Sequence, residues 1–420
     1  MIDRDLWQEV FHILKKNKTR TLLTGFGVFW GIFMLVVMLG AGKGLKNGVF
    51  YGLGDLALNS MFIWTRSTTI PYQGFDRGRY WNLKNEDTQA LLDNIPEIEI
   101  LAPRANAWGG DVNISRDNRD DSFRIVGDTP EYQKIEPQEI IVGRFLNIKD
   151  LQEKRKIAVI GKTVREVLFE PYENPLGEYL KIRGVYFRVV GVFQSKMSAN
   201  NGRERDNKTI FIPLSTLQLT NNMGDFVGWY SVLAKPGIPA KVVEDKMKKL
   251  LAKRHKISPE DNLAFGTDNL EEQMREVNNL FMGISLLSWF VGILTLLAGA
   301  IGTSNIMLVI VRERTKEIGV QRALGATPMR VIRQIITESI FLNTAAGYLG
   351  LLLSAGLVEL VGFLLRKFEI EALYFHNPEV DLRVAGLALI ILVVSGAIAG
   401  LLPAKRAVSI KPIDALRSEY

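Results

Sequence analysis

Four stretches of this chain carry no charged residue over the roughly 20 positions that a helix needs to cross a hydrocarbon core: 21–42, 280–311, 339–358 and 384–404. With the apolar residues flanking the third, they predict membrane spans at 21–42, 280–311, 335–365 and 384–404. One span therefore precedes a long polar insert and three follow it. The insert alternates short apolar runs with turn residues, which predicts a mixed α/β globular body large enough to have its own core. The expected fold class is an α+β membrane protein, four transmembrane helices arranged one plus three with a large extracytoplasmic domain between the first and second.

The 52 Lys and Arg against 45 Asp and Glu give a formal charge of +7, a balance that in a soluble protein would point to nucleic acid. Here the basic residues crowd the ends of the apolar runs instead, so no nucleic-acid partner is expected. Lys15, Lys16, Lys18 and Arg20 precede the first run, Arg312, Arg314, Lys316, Arg322, Arg330 and Arg333 follow the second, and Lys405, Arg406, Lys411 and Arg417 follow the fourth. Putting these three regions in the cytoplasm satisfies the positive-inside rule, with both termini inside and the insert outside. Arg366, Lys367 and Arg383 in the short loop 366–383 are a mild exception. The first run is longer than a signal-peptide core and no small-x-small cleavage site precedes Lys43, so it reads as an uncleaved anchor.

Along the chain, Trp7, Val10, Phe11 and Leu14 recur at helical spacing and predict an amphipathic helix on the cytoplasmic surface within 1–20. The outer domain with its stalk occupies 43–279. Strands are expected at 61–64, 122–126, 157–160, 185–192 and 209–212, with a hairpin over 180–192 turning at Arg183-Gly184. Helices are expected at 85–94 and 240–254, the second with Val243, Met247, Leu250 and Leu251 on one face. The helical pattern of 270–279 continues into the second span and makes a stalk. A cytoplasmic loop covers 312–334 and a cytoplasmic tail 405–420.

The most informative segment runs from Ser304-Asn305-Ile306-Met307 into Arg312-Glu313-Arg314-Thr315-Lys316-Glu317-Ile318-Gly319, then Arg322-Ala323-Leu324-Gly325-Ala326. It resembles the MacB and FtsX type of ABC transporter permease, the mechanotransmission class, in its Asn-containing helix end, charged turn, Glu-Ile-Gly, Arg-Ala and Gly-Ala. Pro403-Ala404-Lys405-Arg406-Ala407 with Pro412-Ile413-Asp414-Ala415-Leu416-Arg417 is similar to the family's closing signature. In the insert, Gly127-Asp128-Thr129-Pro130-Glu131-Tyr132, Gly143-Arg144-Phe145, Ala158-Val159-Ile160-Gly161 and Phe211-Ile212-Pro213-Leu214 resemble the MacB-like periplasmic core domain. The resemblance implies a bacterial inner-membrane permease that is not itself an enzyme. Its partner is a cytoplasmic ABC ATPase, which binds the ATP and Mg while this chain holds no cofactor. The ATPase-coupling loop would be Arg312, Glu313, Arg314, Glu317, Gly319, Arg322, Ala323, Gly325 and Ala326. A chain that starts almost at the membrane, unlike MacB, is expected to take its ATPase from a separate subunit. The resemblance also implies a homodimer, or a heterodimer with a related permease, working with membrane lipids and with a periplasmic adaptor and outer-membrane duct. Cargo would be peptides, drug-like compounds or lipid-linked molecules; lipoprotein release and FtsX-like signalling to cell-wall hydrolases are the alternatives.

Other chemistries fail on inventory. Gly161-Lys162-Thr163 imitates the end of a phosphate-binding loop, but the earlier glycine that loop needs is replaced by Lys156. There is no cysteine, and His12, His255 and His376 are scattered, so no metal site is expected. Glu338 and Glu359, flanking the third run, are expected at the membrane interfaces. Gly283, Gly292, Gly299, Gly302, Gly347 and Gly350 are expected to form a helix-packing surface rather than a substrate path.

Overall fold

The computed structural model describes residues 18–53, 55–196, 200–368 and 375–409. The amphipathic segment expected in 1–20 lies outside the described residues except for its last three positions. So do 369–374 of the short loop, 410–420 of the tail and the signature at 412–417. The chain divides into two units, Met1–Val49 with Leu280–Tyr420, and Phe50–Asn279.

Helix α1 (Lys18–Gly52) leads into the second unit. There the chain forms β1 (Ser60–Thr65), β2 (Leu83–Lys84), α2 (Asn85–Asn94) and β3 (Ile98–Asn106). Next come β4 (Val112–Arg116), β5 (Arg119–Asp128), β6 (Glu139–Gly143), α3 (Ile148–Gln152), β7 (Ile157–Gly161), α4 (Lys162–Leu168), β8 (Tyr179–Ile182) and β9 (Val185–Gln194). The unit ends with α5 (Asn200–Asn207), β10 (Thr209–Pro213), α6 (Leu214–Thr220), β11 (Phe226–Val227), β12 (Trp229–Ala234), α7 (Ala240–Arg254) and β13 (Phe265–Asn269). The expected mixed α/β body is present. The expected hairpin is β8–β9, where Arg183 at φ +48° and Gly184 at φ +84° make the two-residue turn that matches strand twist.

Strand pairing closes a ring that single-strand patterns cannot announce. β10 pairs with β7, then β9, β8, β4 and β5 follow, and β5 returns to β10 in parallel register through Arg124 opposite Thr209. The alternating apolar residues of this ring fill its interior: Ile114, Phe123, Leu180, Phe187, Ile210 and Ile212 are buried, with Val164 and Leu168 of α4 and Leu214 and Leu217 of α6 packed against them. From β5 the sheet runs on as an open extension, β3, β12, β1 and β13. Helices α2 and α7 cover that extension through Leu91, Val243, Met247 and Leu251, which are fully buried. Where ring meets extension, Arg104 and Asp128 form a buried ion pair at 2.9 Å, and the guanidinium lies 3.4 Å from the centre of the Tyr132 ring.

One carboxylate ties the two covering helices together. Asp87 of α2 is buried and accepts from the Lys84 N–H at 3.0 Å and from Arg254 Nε at 2.6 Å, with His255 Nε2 at 2.7 Å. Burial alone would raise its pKa, but these hydrogen bonds outweigh it and hold the carboxyl below the usual range. A depressed folded-state pKa contributes stability above the unfolded value, near pH 4, which is lost as pH falls through the folded value. Asp87→Asn is therefore expected to lower the unfolding midpoint at pH 7, with the deficit against wild type shrinking below about pH 4 in thermal scans at stepped pH.

The first unit contains α1 as far as Val49 and, after the insert, α8 (Leu270–Glu313) from Leu280 onward, the short α9 (Thr315–Ala323), α10 (Pro328–Lys367) and α11 (Leu382–Ser409). α1, α8, α10 and α11 are long and apolar enough to cross a membrane. They overrun the charge-free stretches because helix continues wherever polar helix-formers follow: α8 begins at Leu270 and α10 at Pro328, seven residues before the expected start at 335. Glycines set the closest approaches. Gly27 of α1 faces Gly299 of α8, where a Cβ on Gly27 would lie 3.1 Å from the Gly299 Cα. Cβ atoms on Gly347 and Gly292 would strike Leu392 and Leu35, whereas those on Gly283 and Gly302 would meet nothing within 4 Å. The packing surface is thus a subset of the glycines the sequence offers. A Cβ on Gly350 would sit 2.6 Å from the Phe29 carbonyl oxygen, a backbone atom that cannot swing aside. Gly350→Ala is expected to cost about 1–3 kcal/mol and to lower the thermal midpoint in detergent, while Gly302→Ala leaves the midpoint unchanged or raises it.

Candidate functional site

At one end of the four helices the chain reverses through Arg314. α8 stops at Glu313, Arg314 leaves helical geometry at φ −92°, ψ 13°, and α9 begins at Thr315, whose hydroxyl donates to the Arg312 carbonyl at 2.7 Å. Ala323 ends α9. Gly325 at φ +101° then turns the chain, and Pro328 opens α10 at a first-turn position where no N–H is needed. The segment expected as a loop over 312–334 is therefore mostly helix. Its run of alternating charges hides this, because α9 spans only nine residues and its inward face is small.

Two arginines clasp α9 to the bundle. Arg314 grips Glu317 with Nε at 3.0 Å and Nη2 at 3.1 Å, and its Nη1 reaches Glu338 of α10 at 3.2 Å. Glu338 is buried, while Glu359 is exposed and pairs with Arg366 at 3.0 Å. Arg322 Nη1 donates to the Val408 carbonyl at 2.7 Å, satisfying one of the last four carbonyls of α11, which have no partner inside the helix. Below these bonds Met307, Val311, Ile318, Val331, Ile335, Ala404 and Ala407 make one apolar cluster drawn from α8, α9, α10 and α11. Displacing α9 thus disturbs α8, α10 and α11.

This clasp divides the nine coupling-loop residues. Arg314 and Arg322 bond to the protein itself, and Gly319 is buried. Arg312, Glu313, Glu317, Ala323 and Gly325 are exposed and Ala326 is half-buried. The sequence reading missed three exposed apolar side chains on the same turn, Val320, Leu324 at 83% and Met329 at 69%. Their signal was the i, i+4 pair of Val320 in α9 and Leu324 just past its end, on the side opposite Ile318 and Arg322.

Elsewhere the imitation phosphate loop is filled by protein. A Cβ on Gly161 would lie 2.1 Å from the Asn207 carbonyl oxygen, so the turn where a phosphate would sit is occupied by backbone. Among the described residues no three His, Cys, Asp or Glu side chains group closely enough to hold a metal ion.

Residues 21–250 match the MacB-like periplasmic core domain, and residues 289–412 match the FtsX-like permease C-terminal domain. The chain belongs to the MacB/FtsX family of ABC transporter permeases. It is 30% identical over 415 residues to the pyoverdine export ATP-binding/permease protein PvdT of Pseudomonas savastanoi pv. phaseolicola, covering 99% of this chain and 60% of that one. It is 28% identical to the macrolide export ATP-binding/permease protein MacB of Bdellovibrio bacteriovorus, over 97% of this chain and 61% of that protein. The chain thus spans about three-fifths of the length of these relatives. Among solved structures, the periplasmic region of MacB from Actinobacillus actinomycetemcomitans is similar over 54% of this chain and 95% of its own, at 20% identity and TM-score 0.42. In this MacB/FtsX-type permease the signature Glu-Ile-Gly and Arg-Ala residues make up the clasped helix α9.

Breaking one partner of a buried ion pair costs about 3–5 kcal/mol because the other charge stays buried. Glu338→Ala is expected to approach the lower figure and to reduce the thermal midpoint in detergent. Glu338→Arg combined with Arg314→Glu should recover part of the loss if the pair acts through charge.

Proposed function

We propose that this protein is the membrane subunit of an ABC exporter and that α9 with the α9–α10 turn is where an ABC ATPase drives it. The observation that carries the reading is the exposed apolar pair of Leu324, at the end of α9, and Met329, in the first turn of α10, beside a helix that Arg314 and Arg322 fasten to α10 and α11. Apolar anchors surrounded by charge are what a partner groove buries. The ATPase would be a separate subunit carrying the ATP and Mg, and the permease would be a homodimer.

The basic residues beside α9 support a cytoplasmic location for this end, and the α/β domain would then lie outside the inner membrane. ATP-driven movement of α9 would act on α8, one helix from Leu270 to Glu313. Names of relatives that specify pyoverdine and macrolide export favour export over lipoprotein release or signalling. An adaptor protein and an outer-membrane duct would complete the path, for peptide, drug-like or lipid-linked cargo.

The test is purification of tagged wild type and Leu324→Glu/Met329→Glu from the native host, with identification of associated proteins and assay of ATP hydrolysis. Exposed substitutions leave folding within about 0.5 kcal/mol, so the thermal midpoint should not move while the co-purified ATPase falls by roughly tenfold or more. An ATPase retained at wild-type level and activity would refute the assignment.

A further inference from the structure

In the α/β unit a cleft of about 580 Å³ is lined by Asn106, Ser122 and Arg124 together with Arg205 and Lys208. Arg124 is half-buried on β5, and its Nε donates to Asn106 Oδ1 at 3.2 Å. Neither Arg124 nor Arg205 has a carboxylate within ion-pair distance among the described residues. The other charged groups lining the cleft are Glu204 and Lys208, which pair with each other at 2.7 Å, and Asp111 on the exposed turn after Ala107; outside the lining, Asp206 accepts from the Ser195 hydroxyl at 3.1 Å. Burial and the like charge of Arg205 both act against the Arg124 cation.

A protein that only needed a filled surface here would not crowd two unpaired guanidiniums into a concavity, because each gains more from water or from an acid than from the other. An oxyanion in the cleft removes that repulsion and can be held bidentately by planar guanidinium forks. We propose that this cleft binds the carboxylate or phosphate group of a small ligand, with Arg124 and Arg205 as its two holders. The proposal concerns the α/β unit alone and does not depend on the ATPase-coupling role of α9.

Titration calorimetry and thermal scans on the full chain in detergent would use inorganic phosphate and citrate, with sodium chloride at matched ionic strength as the reference. One or both oxyanions should bind, raise the unfolding midpoint above the chloride reference and weaken as salt is added. Citrate alone would mark a carboxylate ligand and phosphate alone a phosphate ligand, and either upholds the site. Arg124→Gln and Arg205→Gln should each weaken binding by roughly tenfold, whereas Lys181→Gln on the exposed face of β8 should not. Arg205 is exposed, so its variant keeps the test readable even if Arg124→Gln unfolds. Failure of both anions to exceed chloride, or equal binding by wild type and Arg205→Gln, would overturn the proposal.

Discussion

Inside a hydrocarbon layer no water is present to satisfy a peptide group, and this one constraint dictates most of the first unit. Each crossing segment must close its own hydrogen bonds, which leaves helix as the only choice for isolated spans. Burial of apolar surface no longer drives such helices together, since lipid is as apolar as leucine. What remains is contact, and contact needs small residues: Gly27 against Gly299, and Gly350 against the Phe29 carbonyl, bring backbones close enough for dispersion to act over whole turns. At the end of the bundle polar groups take over. Arg314, Glu338 and Arg322 convert the unsatisfied ends of helices into joints that fix how α9 is held.

The parts of the fold that follow local rules could be read from the sequence. α2 and α7 have a solvent face and an apolar face at helical spacing, and their limits fall where the pattern fades, at 85–94 and 240–254. The hairpin at Arg183-Gly184 has a turn whose backbone angles favour glycine. Ring closure was not legible. β5 and β10 read as two apolar strands like any others, and that they pair in parallel depends on tertiary packing of Leu214 and Leu217 under β5. β6 was missed for a related reason: it pairs only with the last residues of β9, and its residues alternate too weakly in burial to stand out.

The candidate site was half legible. Its location came from charge patterning and signature residues, which mark where a family keeps its sequence but not which side of a helix they occupy. Gly319 and Arg322 are held by intramolecular packing, and Leu324 and Met329, apolar residues in a charged segment, are the ones presented outward. Sequence position alone cannot separate a residue that builds a surface from one that forms it. The i, i+4 geometry of a helix can, once α9 is known to be helical.

The closed ring also sets an order of events. Arg124 cannot meet its partner Thr209 until every residue between them has emerged, and β7 and β9 must likewise wait for each other. Pairings between distant residues form slowly, because loop closure precedes the contacts that repay it. During synthesis of this domain, then, the short-range hairpin β8–β9 can form early while β5 still lacks its β10 partner. An unpaired edge of this kind is where a neighbouring chain competes with ring closure.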